Sequence, residues 1–141
     1  MDRGIALTVV WFDDDVVELD VRADNGRFSG EARGYASRGV AAELAKALRG
    51  FPRGGDDRRL FEIGTFDDKL AGGGARFEFA CRDSAGHASV EVKIESDDRE
   101  RIPPQSVLLI AAVEPAAVDS FVSDLRRLEA DQGTAFLRTS G

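Results

Sequence analysis

The sequence has 141 residues, of which 26 are acidic and 19 are basic, so its formal net charge is −7. A chain of this length is expected to form one domain with one core, spanning residues 1–141, without a metal ion or disulfide to hold it. A negative surface repels phosphate backbones, which disfavours nucleic-acid binding and favours a basic protein partner. The alternative is that acidity serves solubility alone.

The first predicted strand is the apolar run of residues 5–12. It is far shorter than the roughly 20 residues of a membrane span, and no signal-peptide cleavage site follows, so we expect a cytoplasmic protein that does not enter a membrane. Apolar residues on both sides suit a central strand, or one whose outer face meets a partner. Asp13, Asp14 and Asp15 follow without the spacing of a cation loop, which predicts a solvated turn.

The second and third strands are predicted as a hairpin. Residues 17–23 alternate between apolar and charged side chains, and Asn25-Gly26 is typical of a two-residue type I′ turn. The return strand, residues 27–35, then has Phe28, Gly30, Ala32 and Gly34 on one face. These small residues leave room for a helix or another backbone to pack closely. A ligand site on this glycine-rich face is the alternative, although no GxGxxG spacing is present.

The first helix is predicted from the apolar stripe Val40, Leu44, Ala47 and Leu48, with Ser37 as its N-cap. Gly50 and Pro52 end it, and Phe51 is expected to fold back onto the stripe. A short strand at residues 60–63 follows. The connection to the next strand carries Asp67, Asp68 and three consecutive glycines, typical of a solvated, flexible loop.

Residues 75–95 contain the clearest strand signal in the chain. Two runs of alternating apolar and polar side chains flank a turn at residues 83–86, which predicts an antiparallel hairpin with one buried face. Cys81 lies on the apolar side of its strand, so we expect it in the core.

The last third of the chain contains a predicted strand and a predicted helix. The polar turn of residues 96–104 includes Asp97, Asp98 and Glu100. Residues 106–113 are apolar on both faces, which predicts a central strand. Pro115 suits the first turn of the second helix, and the tail after Asp131 is either frayed or a short strand. No internal sequence repeat is evident. The whole pattern predicts an α+β domain, an antiparallel sheet of about six strands with two helices packed on one face.

No catalytic or metal-binding pattern accompanies this fold. His87 is the only histidine and Cys81 the only cysteine, whereas a zinc site needs three or four such ligands and a nucleophilic triad needs a base beside its nucleophile. The carboxylates lie on outer strand faces or in turns, where solvent keeps their pKa values alike. We therefore expect neither an enzyme nor a cofactor.

Three stretches give the chain a family resemblance: residues 37–52 (SRGVAAELAKALRGFP), residues 86–95 (GHASVEVKIE) and residues 114–128 (EPAAVDSFVSDLRRL). With the strand SVLLIAAV before the last of them, they resemble the WapI-type immunity proteins over residues 28–128. The resemblance implies a cytoplasmic bacterial protein that binds and neutralises the C-terminal toxin domain of a large secreted protein, many such toxins being nucleases. It carries no residue-level motif to transfer.

The candidate partner-binding residues follow from charge. An inhibitor of a nuclease gains steering and competition with substrate by placing carboxylates over basic groups. We expect a monomer or weak homodimer whose partner is a cognate toxin domain. For each acidic cluster, the alternative is an ordinary solvated turn. For the protein, the alternative is a small-ligand-binding or structural module. The candidates are Asp13, Asp14, Asp15, Asp67, Asp68, Asp97, Asp98 and Glu100.

Overall fold

The computed structural model describes residues 3–67, 72–97 and 102–140, which form eight strands and two helices. The predicted α+β class with two helices is confirmed, but there are eight strands in two sheets rather than about six in one. The elements are β1 (Gly4–Phe12), β2 (Val16–Asp24), β3 (Ser29–Ser37), α1 (Val40–Leu48), β4 (Arg58–Gly64), β5 (Gly74–Cys81), β6 (Ala88–Glu95), β7 (Ser106–Val113), α2 (Pro115–Asp131) and β8 (Thr134–Arg138).

The order of elements repeats along the chain as three strands, a helix and a strand. The first sheet has the order β3-β2-β1-β8 and the second the order β7-β6-β5-β4, with all neighbours antiparallel. Each sheet therefore combines three strands from one half of the chain with the last strand of the other half. Because each half completes the other's sheet, the two halves are tied into one unit.

The two helices occupy equivalent places in this repeat. In α1 the buried residues are Ala41, Leu44, Ala45 and Leu48, and α2 buries Val118, Phe121, Val122 and Leu125 at the same spacing. The helices pack against each other, α2 also against β8 and β1, and α1 against β4. They therefore contact both sheets, whereas the sequence predicted both helices on one face of a single sheet.

Strand β3 joins the two sheets by lying against all four strands of the second. A side chain at Gly34 would collide with the backbone of Gly64 and Gly73, and one at Gly30 would collide with Val107. The backbone N–H of Gly73 also donates to the carbonyl oxygen of Arg33 at 2.7 Å. The prediction that another backbone packs closely against this small-residue face is confirmed, and that backbone belongs to the second sheet.

The turn between β2 and β3 is longer than predicted. Strand β2 ends at Asp24 and β3 begins at Ser29, and of the residues between them only Gly26 has a positive φ, 89°. The Asn25 side-chain oxygen accepts the N–H groups of Arg27 and Phe28, both at 2.9 Å. This side-chain bonding replaces the two-residue turn, so the return strand starts two residues later and leaves Phe28 in the loop.

Other local predictions have mixed outcomes. Phe51 is buried and its ring meets Phe79 of β5 edge-on at 5.7 Å. Ser37 ends β3, and the residue at the N-cap of α1 is Gly39. Cys81 is half-buried rather than in the core.

The strand predicted to be central, β7, lies at an edge of the second sheet. Leu109, Ala111 and Val113 face the core, but Leu108 and Ile110 on its other face are exposed. An apolar strand predicts burial on both faces only if something covers the second face. None of the described residues buries these two side chains.

Candidate functional site

A β-bulge sets the direction of the exposed aromatic residues at the end of β1. Val9 pairs with Leu19 but Trp11 pairs with Glu18, so Val10 is an extra residue in the ladder. The bulge moves Trp11 from the core side, where regular pairing would place it, to the outer side beside Glu18. Trp11 is 47% exposed and Phe12 is 39% exposed.

The predicted acidic turn directly follows β1, and its aspartates differ in whether their side chains bond to the turn's backbone. Asp13 Oδ1 accepts the N–H groups of Asp15 and Val16 at 2.9 and 2.8 Å, and these backbone hydrogen bonds hold the pKa of Asp13 below its usual value. Asp13 is therefore a structural residue of the turn. The side chains of Asp14 and Asp15 are exposed and make no ion pair within the described residues, so they are the carboxylates available to a partner.

Arg38 fixes the turn and Phe12 together. Its Nη1 donates to the carbonyl oxygen of Asp13 at 2.8 Å, and its guanidinium carbon lies 4.9 Å from the centre of the Phe12 ring. Its Nε also donates to Glu129 at 3.1 Å. An exposed aromatic ring held in this way loses little freedom when it binds a partner, which favours affinity.

Trp11 belongs to a row of side chains on the outer face of the first sheet. Glu18 pairs with Trp11 on one side and with Tyr35 on the other. The Tyr35 ring in turn lies against Gly72. We call Trp11, Asp14, Asp15 and Tyr35 the hairpin surface; it combines aromatic area with negative charge. Phe12 pairs with the core-facing Val17 and therefore lies on the opposite face of the sheet.

The second and third predicted acidic clusters are described only in part. Asp68, Asp98 and Glu100 lie outside the described residues. The backbone N–H of Asp67 donates to Thr65 Oγ1 at 3.0 Å, and Asp97 Oδ2 accepts the N–H of Gly72 at 3.2 Å. Asp67 and Asp97 thus lie at the same end of the second sheet, and Gly72 links Asp97 to Tyr35 of the hairpin surface.

A different kind of site lies at the C-terminus of α1. Arg59 binds Asp57 through two hydrogen bonds of 2.7 and 2.8 Å and donates to the carbonyl oxygen of Ala47. Beside it is a groove of about 510 Å³ lined by Lys46, Arg49 and Arg53, whose side chains make no ion pair within the described residues, and by Asp56. These cations would attract an anion. The sequence does not reveal this groove, because its basic residues are spread over a helix and a loop.

The outer face of the first sheet also contains a carboxyl group with an unusual pKa. Burial, and secondly the neighbouring Glu31, raise the pKa of Asp20 to about 6. Its Oδ1 has no hydrogen-bond partner, and the Nε of Arg33 lies 3.8 Å away. Glu31 instead pairs with Arg22 at 2.7 Å, and this hydrogen bond holds the pKa of Glu31 below its usual value. Strand alternation places Asp20 on the polar face but does not reveal how deeply it is buried.

The remaining titratable candidates form no larger site. His87 is exposed, and its Nδ1 lies 2.7 Å from Asp83. Within the described residues no group of three or more His, Cys, Asp or Glu side chains is placed to hold a metal ion. In the same part of the chain, every helix is too short or too polar to cross a bilayer.

Comparison with known proteins identifies no relative of this chain. No protein-family model, no curated protein and no solved structure matches the chain.

Proposed function

We propose that this protein is a cytoplasmic immunity-type protein that binds and neutralises a basic bacterial toxin domain. The observation that carries the proposal is the hairpin surface, where the exposed aromatic ring of Trp11 lies at the end of β1, just before the turn that exposes the carboxylates of Asp14 and Asp15. The resemblance of residues 28–128 to the WapI-type immunity proteins supports the same role. The proposal assigns no catalytic residue and no cofactor.

The two parts of the hairpin surface have different tasks in binding. Large aromatic side chains supply most of the binding energy when they enter a pocket on a partner. Carboxylates at the rim and a net charge of −7 accelerate encounter with a basic surface, such as the phosphate-binding face of a nuclease. Trp11 is therefore expected to control the dissociation rate, and Asp14 and Asp15 the association rate.

The test is binding of the purified protein to the C-terminal domain of any large secreted protein encoded beside it, at several salt concentrations, with growth rescue on co-expression. Trp11→Ala should weaken binding by 2 kcal/mol or more, the range of a hot-spot residue, so about 30-fold. Phe28→Ala is the matched control, because Phe28 is 61% exposed in another loop.

Charge reversal tests the acidic part separately. The double variant Asp14→Lys/Asp15→Lys should slow association and reduce its salt dependence, whereas Glu43→Lys/Asp119→Lys, which changes exposed residues of the two helices, should not have the same effect. Absence of both binding and rescue by the unmodified protein would overturn the immunity proposal. If the protein binds the toxin domain but no variant of the hairpin surface weakens binding, the immunity function would stand and the hairpin surface would not be the binding site.

A second candidate function is binding of a small anion in the groove beside α1. On the glycine-rich face, Val107 lies against Gly30 and the backbone of Gly64 and Gly73 lies against Gly34, whereas Lys46, Arg49 and Arg53 line open space. Titration calorimetry with inorganic phosphate and pyrophosphate tests this function. Saturable binding that Arg49→Glu abolishes and Arg127→Glu leaves intact would support it, and no binding heat with either probe would exclude it for these anions.

A further inference from the structure

The outer face of the second sheet has apolar side chains at both edges. Leu108 and Ile110 of β7 are 56% and 57% exposed, and Leu60 of β4, at the opposite edge, is 61% exposed. Large apolar side chains gathered on one face of a folded protein are a common feature of interaction surfaces. Strand β7 is also the strand whose sequence predicted burial on both faces.

Between these edges, the strands place like charges opposite each other. In the register of β5 and β6, Glu78 pairs with Glu91 and Arg76 pairs with Lys93. Directly opposite like charges destabilise an antiparallel pair. If Glu91 and Lys93 exchanged places on β6, both pairs would join opposite charges. The observed arrangement is therefore not the one that best stabilises the isolated sheet.

Neighbouring groups compensate the charges of β5 but not those of β6. Arg58 pairs with Glu78 at 2.6 Å, and Glu62 pairs with Arg76 at 2.9 Å. The Nζ of Lys93 lies 5.4 Å from the centre of the Phe66 ring. Within the described residues, however, neither Glu91 nor Lys93 has an oppositely charged partner. These two side chains point from the same face in adjacent rows.

We propose that this face binds a second copy of the chain about a two-fold axis that crosses the strands between the acidic row and the basic row. Rotation about this axis places Glu91 over Lys93 of the second copy and Lys93 over its Glu91. It also places Ile110 over Leu108 of the second copy. The same patch on both chains is thus self-complementary in charge and in apolar contact, as an isologous interface requires.

The size of the face sets the strength expected of this dimer. Four strands about 4.8 Å apart, with about seven residues each at about 3.3 Å, cover roughly 15 by 20 Å. Two such faces together bury on the order of 600 Å², which is below the range of stable specific interfaces and suits a weak, transient contact. The dimer is therefore weak, with a dissociation constant in the micromolar range or above, and its formation does not depend on the immunity proposal, whose surface lies on the first sheet.

Sedimentation velocity of the full-length protein, from micromolar to near-millimolar concentration, tests the proposal through charge exchange. Glu91→Lys places lysine against lysine across the axis, and Lys93→Glu places glutamate against glutamate. Each variant alone should therefore dimerise at least about tenfold more weakly than the unmodified protein. An equimolar mixture of the two should recover dimers, because every contact across the axis is then between opposite charges.

Arg126→Glu, an equal change of charge on an exposed position of α2, is the control and should leave dimerisation unchanged. Far-ultraviolet circular dichroism of each variant verifies folding, and recovery in the mixture itself requires both variants to be folded. A protein that stays monomeric at the highest concentration overturns the proposal. So does a dimer that neither variant weakens, or a mixture that associates no better than its components.

Discussion

The carboxylate of Glu129, near the end of α2, accepts hydrogen bonds from the backbone N–H of Gly39, the N-cap of α1. Its two oxygens lie 2.9 and 3.1 Å from this nitrogen, and Oε2 also accepts the N–H of Ala41 at 3.0 Å. The first N–H groups of a helix have no partner within the helix and form the positive end of its dipole. Glu129 therefore replaces the capping side chain that α1 lacks.

Substitution of Glu129 tests how much this contact between helices stabilises the fold. Glu129→Ala should reduce the free energy of unfolding by about 2 kcal/mol, since it removes charge-assisted hydrogen bonds to a helix end. Glu129→Gln should lose less, because one acceptor remains. Urea denaturation measures both.

Glu43→Ala is the matched control, as Glu43 is an exposed glutamate in the first turn of α1. Since Arg38 also binds Glu129, the Ala variant should in addition loosen the turn of Asp13. A loss no greater than that of the control would mean that water caps the helix equally well.

The Glu129 contact also marks a limit of prediction from sequence. Helix periodicity located both helices, because an apolar stripe is a local pattern. The cap joins residues far apart in the chain, so local capping rules selected Ser37 instead. The pairing of β8 with β1 was hidden for the same reason, since these two strands lie at opposite ends of the chain.

A steric prediction concerns Gly34, where β3 meets the second sheet. A Cβ built there lies 2.9 Å from the carbonyl oxygen of Gly73 and 3.1 Å from the Cα of Gly64. Backbone atoms cannot move away as a flexible side chain can, so Gly34→Ala should cost about 2 kcal/mol of unfolding free energy. Gly133→Ala is the control, because nothing lies within 4 Å of a Cβ at that position. Equal midpoints of thermal unfolding for the two variants would show that the sheets separate easily.

Asp20 gives a prediction on pH. Its pKa is raised from 3.8 to about 6 by burial and by Glu31, so the folded state binds a proton more tightly than the unfolded state. Stability from this group is complete below pH 4 and falls as the pH rises to about 6. Asp20→Asn removes the charge, and its gain in unfolding free energy over the unmodified protein should grow across this range to about 2 kcal/mol at pH 7.

Urea denaturation at a series of pH values measures this difference. Comparison with the unmodified protein at each pH cancels the contributions of Asp13, Asp57 and Asp83, whose lowered pKa values make the fold less stable in acid. Asp119→Asn, at an exposed position of α2, should give a difference that does not vary with pH. If the difference in unfolding free energy between Asp20→Asn and the unmodified protein also did not vary with pH, Asp20 would not titrate between pH 4 and 7.

The alternation of side chains predicted faces correctly but not their surroundings. Strand β2 has Leu19 and Val21 in the core and Asp20 on the other face, as its pattern indicates. The same pattern could not reveal that Arg33 and Glu31 crowd Asp20, because these residues meet it only through the register of β3. Likewise, the apolar pattern of β7 predicted burial of Leu108 and Ile110, although none of the residues that the structure describes covers them.

The single tryptophan makes the hairpin surface directly observable. Trp11 is the only tryptophan in the chain and is 47% exposed, so acrylamide should quench its fluorescence readily in the free protein. Binding of a basic toxin domain without tryptophan should shield Trp11 and shift its emission to shorter wavelength. A double variant with Trp11→Phe and Phe28→Trp moves the reporter to another exposed loop and should stay quenchable in the complex. Because dimerisation would use the second sheet, it should not shield Trp11, whereas equal shielding of both positions by the toxin domain would contradict binding at the hairpin surface.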